Sequence, residues 1–252
     1  MKKIAIEYSP TEMEMIQEFI SENFGASDGM LYHEIKSEYI HTDVDICNDN
    51  NNNRIFVTFG MGARKMNSPF PKNEYAELLM HASSKIDAKS SEAQTVVSEL
   101  QSLTKYPFRE ETFFASGHTI NVSPRFKEKF GYDFVVFYDT RLSFENIKPK
   151  KIKFLLAIPV YKEERDWMVE NDSFTFIKGL VEKYGEKAYL VDCKRDVYIP
   201  GNAVSPEDAG AMNALDIDYD TLERLRDFLE QMHKEGKKVS YEMIGKWIEE
   251  NS

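Results

Sequence analysis

The stretch His41-Thr42-Asp43-Val44-Asp45-Ile46-Cys47-Asn48, the polar run Asp49-Asn50-Asn51-Asn52-Asn53 and the return Arg54-Ile55-Phe56-Val57-Thr58-Phe59-Gly60-Met61-Gly62-Ala63-Arg64-Lys65-Met66-Asn67-Ser68-Pro69 decide the fold. In the first arm Ile40, Thr42, Val44 and Ile46 alternate with His41, Asp43 and Asp45, as side chains on a strand must. The Asn-rich run tolerates left-handed turn geometry. The second arm is rich in aromatic and β-branched residues. Together they predict a β-hairpin, with Gly60-Met61-Gly62 turning the chain sharply out of its second strand.

Outward from the hairpin, Ser9-Pro10-Thr11-Glu12 is a capping box with Pro at the first helical position. Met13, Ile16, Phe19 and Ile20 then share a helical face, and Gly25 ends the run. Strands are expected at Met30–Ile35, Tyr39–Cys47, Arg54–Phe59, Tyr75–His81, Thr112–Val122, Asp133–Tyr138 and Lys153–Tyr161. Phe134-Val135-Val136-Phe137-Tyr138 and Phe154-Leu155-Leu156-Ala157-Ile158 lack alternation, which predicts strands covered on both faces. Residues 62–73, with Pro69 and Pro71, read as a loop. Helices are expected at Ser90–Leu103 and, as one long element, at Lys162–Tyr184. Two short strands, Ala188–Cys193 and Val197–Ile199, are expected to close this part. The fold class is α+β, a mixed, largely antiparallel sheet with flanking helices. Residues 1–200 form the main domain. Residues 201–252 form an acidic helical extension packed on it, with Leu222, Leu225, Leu229 and Met232 on one helix and Tyr241, Ile244, Trp247 and Ile248 on another.

The 252 residues carry a net charge of −11. Residues 1–60 hold 11 acids and 4 bases (−7), residues 205–252 hold 12 and 6 (−6), and the middle is +2. Acidic ends disfavour direct nucleic-acid binding, because phosphate contacts need Lys and Arg. They suit a basic protein partner, whose encounter complementary potential would steer. No apolar run reaches the roughly 20 residues of a spanning helix. Glu7 interrupts the amino terminus before a signal-type apolar segment forms, so cytoplasmic residence is the expectation. Cys47 and Cys193 are lone thiols and read as small hydrophobes.

His41, Asp43 and Asp45 project from one side of a strand, so they are weighed as a site, a solvated face or paired charges. No His-x-x-x-His or Cys-x-x-Cys accompanies them, so no metal is expected, and pairing with Lys or Arg from a neighbouring strand is the favoured reading. Gly60-Met61-Gly62 is too short for a phosphate-cradling loop. Gly-x-Ser-x-Gly is absent, and Glu163, Glu164 and Asp166 are accounted for by the positive end of a helix dipole. No cofactor is expected and the chain reads as a non-enzyme.

Several of these segments resemble the suppressor-of-fused-like family: Leu31-Tyr32-His33-Glu34-Ile35, Ile40 to Ile46, Phe56 to Gly62, Met66 to Pro69, Tyr75 to Leu78, Ser116 to Ile120, Phe134 to Phe137 and Phe154 to Glu164. The resemblance spans roughly residues 15–200. It implies an α+β domain that works by binding, in animal members by adding an extended peptide to a sheet. The short form is similar to bacterial members thought to be immunity proteins that neutralise a toxin. On this reading the chain contacts a protein partner, such as a basic toxin domain, through His41, Asp43, Asp45, Gly60, Met61, Arg64, Met66 and the acids Asp216, Asp218 and Asp220. A general peptide-binding adaptor, or a metal-dependent enzyme with ligands converging on Asp43 and Asp45, are the alternatives.

Overall fold

A computed structural model describes residues 5–35, 37–147 and 150–200, with Phe228, Gln231, Met232 and Trp247 beyond them. In chain order the elements are α1 (Pro10–Phe24), β1 (Ser27–Tyr32), β2 (Asp43–Asn48), β3 (Arg54–Phe59), β4 (Tyr75–Ala82), α2 (Ser91–Arg109), β5 (Thr119–Asn121), α3 (Pro124–Phe130), β6 (Phe134–Phe144), β7 (Ile152–Val160), α4 (Lys162–Glu170) and α5 (Ser173–Tyr184). The strands make one seven-stranded sheet in the order β1-β2-β3-β4-β7-β6-β5. Only β4 and β7 pair in parallel; the other neighbours are antiparallel. The expected α+β class and largely antiparallel sheet are what the chain forms.

Helices cover both faces of the sheet. On one side Val44, Ile46, Phe56, Leu78, Met80, Leu155 and Ala157 meet Val96, Leu100 and Leu103 of α2 and Phe126 of α3. On the other, Ile16, Ile20 and Phe24 of α1 cover Ile55, Val57, Leu79 and Phe154, while Phe176, Ile177 and Leu180 of α5 cover Val136, Ile158 and Val160. The central strands therefore read as unbroken apolar runs, and Val135, Val136, Phe137, Phe154, Leu155, Ala157 and Ile158 are all buried. Cys47 is buried among the residues under α1, and burial pushes its thiol up to about 12. Cys193 is only partly covered.

Ser9 caps α1 through the full capping box, as its sequence predicts. Elsewhere the boundaries move for identifiable reasons. α2 runs past Leu103 to Arg109, because Thr104 and Phe108 continue its buried face, despite Pro107 in the last turn. The expected long helix at Lys162–Tyr184 is two helices. Asn171 leaves helical geometry and the Asp172 carboxylate accepts from the backbone N–H groups of Phe174 and Thr175. α3 was not expected, although Ser123-Pro124 repeats the Ser9-Pro10 capping signature and Gly131 ends the helix in a left-handed conformation. The strand expected at Thr112–Val122 shrinks to Thr119–Asn121. Phe113 and Phe114 pack against the core, and Gly117 turns the chain at positive φ.

The expected strands at Ala188–Cys193 and Val197–Ile199 do not form. Gly185–Ala188 is a 3-10 turn, and a single bridge from Leu190 to His81 is the only ladder contact of this segment among the described residues. Side chains satisfy its backbone instead: Cys193, Arg195 and Asp196 carbonyls accept from the hydroxyls of Tyr132, Tyr161 and Tyr184.

His81, near the end of β4, lies edge-on to Tyr189 at 5.2 Å between ring centroids, and its Nδ1 has no hydrogen-bond partner. Burial lowers its pKa to about 4 from 6.5, with the Asp49 carboxylate pulling weakly the other way. The unfolded chain then binds this proton more readily than the fold does, so stability falls as pH drops from about 6.5 toward 4. Linkage puts the loss at about 2 kcal/mol by pH 5. Urea melts at pH 7 and pH 5 check this. His81→Phe is expected to remove that share of the acid sensitivity, and an unchanged pH 7-to-5 difference in the variant would refute the assignment.

Candidate functional site

β3 and β4 place Thr58 and Glu77 side by side beneath the Gly60–Gly62 turn. The Glu77 carboxylate is fully buried and accepts five hydrogen bonds: Tyr8 Oη at 2.7 Å, Thr58 Oγ1 at 2.6 Å, and the backbone N–H groups of Gly60 (2.9 Å), Met61 (3.3 Å) and Gly62 (2.9 Å). The turn is thus an anion-binding nest, and the anion it holds is the protein's own side chain. Gly60 sits at φ +137, where a β-carbon would run into the His41 carbonyl, and a β-carbon at Gly62 would meet the Tyr8 hydroxyl, so neither position has room for one. Burial raises the Glu77 pKa, opposed by the donors from Thr58, Gly62, Tyr8 and Gly60. The Tyr8 hydroxyl is raised well above its usual value, by burial first and then by the Glu77 charge.

On the other side of that turn lies a second polar cluster. Asp43, at the start of β2, accepts from the Glu34 N–H at 2.9 Å and faces two rings: His33 Nδ1 at 2.9 Å and His41 Nε2 at 3.0 Å. His41 Nδ1 lies 3.1 Å from Ser37 Oγ, which is 2.7 Å from Glu34 Oε2. Glu34 also accepts from the Thr42 N–H and pairs with Lys105 of α2. The Asp43 side chain is 3% exposed, His41 29% and His33 68%. The expected Lys or Arg partners are therefore corrected to two histidines, with Lys105 one step removed on Glu34.

Asp45 is buried as well, accepting from Ser27 Oγ at 2.6 Å and the Ile46 N–H at 2.8 Å. The acids on this strand face are not solvated: Ser27, His33 and Glu34 contact them and Asp43 and Asp45 are buried. Met61 and Met66 are core residues, and Arg64 reaches the Tyr39 carbonyl while lying 5.0 Å over the Phe108 ring. His41 and Arg64 keep partial exposure, whereas Asp43, Asp45, Gly60, Met61 and Met66 are interior. Asp216, Asp218 and Asp220 lie outside the described residues.

A third feature escaped sequence reasoning. β5 is an edge strand, and two adjoining depressions of about 600 and 370 Å³ share Tyr106, Thr119 and Ile120 along it. The larger adds Phe113, Phe114 and Val169 to its walls. The Phe137 N–H donates to the His118 carbonyl and the Val122 N–H to the Asp133 carbonyl, so even-numbered residues face β6. By ladder alternation the N–H and C=O groups of Thr119 and Asn121 point away from β6, where no further strand pairs among the described residues. The sequence of this stretch, Thr112 to Val122, reads as one long strand and does not show that its pairing part lies at an edge.

Arg195 closes the far end of the domain. Its guanidinium is 1% exposed, pairs in fork geometry with the fully buried Glu164, and donates to the Pro159 carbonyl at 3.0 Å. Tyr132, Tyr161 and Tyr184 surround it at 5.3 to 5.8 Å from guanidinium carbon to ring centroid. Glu164 also accepts from the Tyr161 and Tyr198 N–H groups. Its role is therefore larger than the helix-dipole contribution expected for it.

No helix among the described residues is long and apolar enough to cross a membrane. A family model described as "Suppressor of fused protein (SUFU)" matches residues 38–196. No curated protein matches the sequence. A solved structure described as "the Sufu-Fu complex crystal structure" superposes with TM-score 0.52 at 9% identity, covering 85% of this chain and 100% of that one. The crystal structure of Drosophila Suppressor of Fused gives TM-score 0.48 at 11% identity, covering 75% of this chain, which spans 47% of that one. Likeness at these identities shows a shared fold alone, but the family model spans more than half of the sequence, from Glu38 through Asp196. The chain belongs to the suppressor of fused family.

Proposed function

We propose that this chain is a protein-binding module that acts by capture rather than by chemistry, and that its partner is a toxin domain it neutralises. The observation that carries the binding mode is the trough along β5: an edge strand with outward backbone donors and acceptors, flanked by Tyr106, Phe113 and Phe114. An extended partner segment pairs with such an edge through its main chain, while the aromatic depressions take alternate side chains. The Fu partner of the related complex is consistent with a fold that serves protein recognition. The net charge of −11 supports a basic partner, whose approach it would accelerate. His41 and Arg64 are proposed as a further contact patch, apart from the trough. Asp43, Asp45, Gly60, Met61 and Met66 act beneath it by fixing its shape, and the tail acids Asp216, Asp218 and Asp220 are proposed to add to the charge a basic partner meets.

The test is co-expression with the product of the adjacent gene. Protection from that product's toxicity is expected; undiminished toxicity sinks the toxin assignment. For the binding mode, Asn121→Pro removes one outward N–H without touching the β5–β6 ladder. It is expected to weaken the complex about 5- to 10-fold, the worth of one hydrogen bond, at unchanged melting temperature. Unchanged affinity on calorimetry would place the partner elsewhere.

A further inference from the structure

The hydrogen bonds around His41 fix where its protons stand. Glu34 is a carboxylate held by Lys105 and accepts from Ser37 Oγ at 2.7 Å. A hydroxyl has one proton, so Ser37 spends its proton on Glu34 and must accept at His41 Nδ1 (3.1 Å). His41 is thereby the tautomer with hydrogen on Nδ1. This also excludes Ser37 as an activated nucleophile, since His41 donates to it rather than taking its proton. The consequence falls on the other ring nitrogen. Nε2 aims a lone pair at Asp43 Oδ1 from 3.0 Å, and that oxygen is itself an acceptor, already bonded to the Glu34 N–H. Two lone pairs face each other unless a positive species stands between them, either a second proton on the ring or a metal ion.

We propose that His33, His41 and Asp43 bind a divalent transition-metal ion of the zinc class, through one ring nitrogen of each histidine and an Asp43 carboxylate oxygen. One ligand atom from each of the three lies within 4.8 Å of the others. Tetrahedral zinc with ligands at about 2.0–2.1 Å spaces them about 3.3 Å apart; His33 now meets Asp43 Oδ2 at 2.9 Å and His41 meets Oδ1 at 3.0 Å, so binding would draw the two rings onto one Asp43 oxygen. The His33 side chain is 68% exposed at the rim of the cluster, while Asp43 is held from beneath. Two imidazoles and one carboxylate suit zinc or cobalt, whereas calcium and magnesium favour all-oxygen shells. The outer shell is of the kind metal-bound histidines use. The Nδ1–H of His41 is fixed through Ser37 to a carboxylate, and Asp43 is itself hydrogen-bonded. Three protein ligands with solvent on the His33 side leave a fourth position for water or for a donor group from a partner. The site stands independently of the trough on β5, at the opposite edge of the sheet.

The experiment is titration of the metal-free full chain with Co²⁺, read by its visible d–d bands, and with Zn²⁺ by calorimetry. One ion per chain with a tetrahedral cobalt spectrum is expected. His33→Ala, at an exposed position that leaves the fold intact, is expected to weaken binding at least 10-fold. Ser37→Ala is expected to weaken it about 10-fold through loss of the outer shell. Nitrogen-15 NMR of the histidine rings supplies the second readout, because zinc must displace any proton from His41 Nε2. No zinc binding at about 1 mM, the affinity of a fortuitous surface contact, overturns the proposal. Binding undiminished in His33→Ala, or a doubly protonated His41 that persists in saturating zinc, overturns it equally.

Discussion

Glu77→Ala is expected to destabilise the domain by about 3–5 kcal/mol, a large share of the roughly 5–15 kcal/mol that keeps a typical domain folded. The reason is the number of donors it orphans. Thr58, Gly60, Met61, Gly62 and Tyr8 all aim hydrogens at this carboxylate, in a site with no access to water. An unsatisfied buried donor costs about 1–3 kcal/mol, and partial relaxation keeps the sum below the simple total. Glu77→Gln keeps the volume but turns one acceptor into a donor facing other donors, so about 2–4 kcal/mol is expected even from this isosteric change. Tyr8→Phe, which leaves four of the five donors in place, is expected to cost only about 1 kcal/mol. Urea midpoints at pH 7 order these variants, and a Glu77→Gln protein as stable as the parent would show that the cradle carries no energy. The pH dependence separates this residue from His81. Burial raises the Glu77 pKa above 4.5, so the fold takes up that proton before the unfolded chain does. Acidification through that window favours the folded state at Glu77, whereas it disfavours it at His81, whose folded pKa lies below the unfolded one.

The cradle also shows what sequence could and could not convey. Gly60-Met61-Gly62 is legible as a sharp turn, since two glycines after an apolar strand leave few other uses. Its ligand was hidden because Glu77 lies 15 residues from Gly62, inside Tyr75-Ala76-Glu77-Leu78-Leu79-Met80. A lone acid in an apolar strand is a signal for a buried, fully bonded carboxylate, but it does not name the donors. The strands themselves were legible because alternation and apolar runs are local properties. The tyrosine-pinned segment after Gly185 was not, because its apolar residues look like a strand and its hydrogen bonds come from distant side chains.

The His33–His41–Asp43 cluster was half legible. Parity put His41 and Asp43 on one side of the chain, and only the β1–β2 pairing brings His33 to them. The register Leu31↔Asp45 and Tyr32↔Val44 continues directly to His33 opposite Asp43. Metal motifs are usually read as fixed spacings within one helix or knuckle, so ligands delivered by an antiparallel pair escape such a search. The same limit applies to β5, whose value lies in being at an edge, and strand order is a global property of the chain.

Arg195→Met is expected to cost about 3–5 kcal/mol, because it strands the Glu164 charge in a fully buried site. The size follows from burial. An exposed pair would contribute under about 1 kcal/mol, but these side chains are 1% and 0% exposed and enclosed by three tyrosine rings. Glu164→Gln alone is expected to cost less, since the amide oxygen still accepts from Tyr161 or Tyr198 while Arg195 keeps the Pro159 carbonyl. Combining the two removes both charges. The double variant is therefore expected to be more stable than the sum of the singles by about 2–3 kcal/mol, the coupling of a buried pair in a double-mutant cycle. Strictly additive losses would show that packing of the arginine stem, and not its charge, secures this end of the domain. A structural readout accompanies the energetic one. Arg195 and Tyr198 are bound to Glu164, and the hydroxyls of Tyr132 and Tyr161 hold the Cys193 and Arg195 carbonyls. Loss of the guanidinium should release residues 192–198 first. Hydrogen exchange at the Tyr198 amide is then expected to accelerate in Arg195→Met well before exchange in β7. Simultaneous loss of protection in both would make the clamp part of the global core rather than a latch on the segment that follows α5.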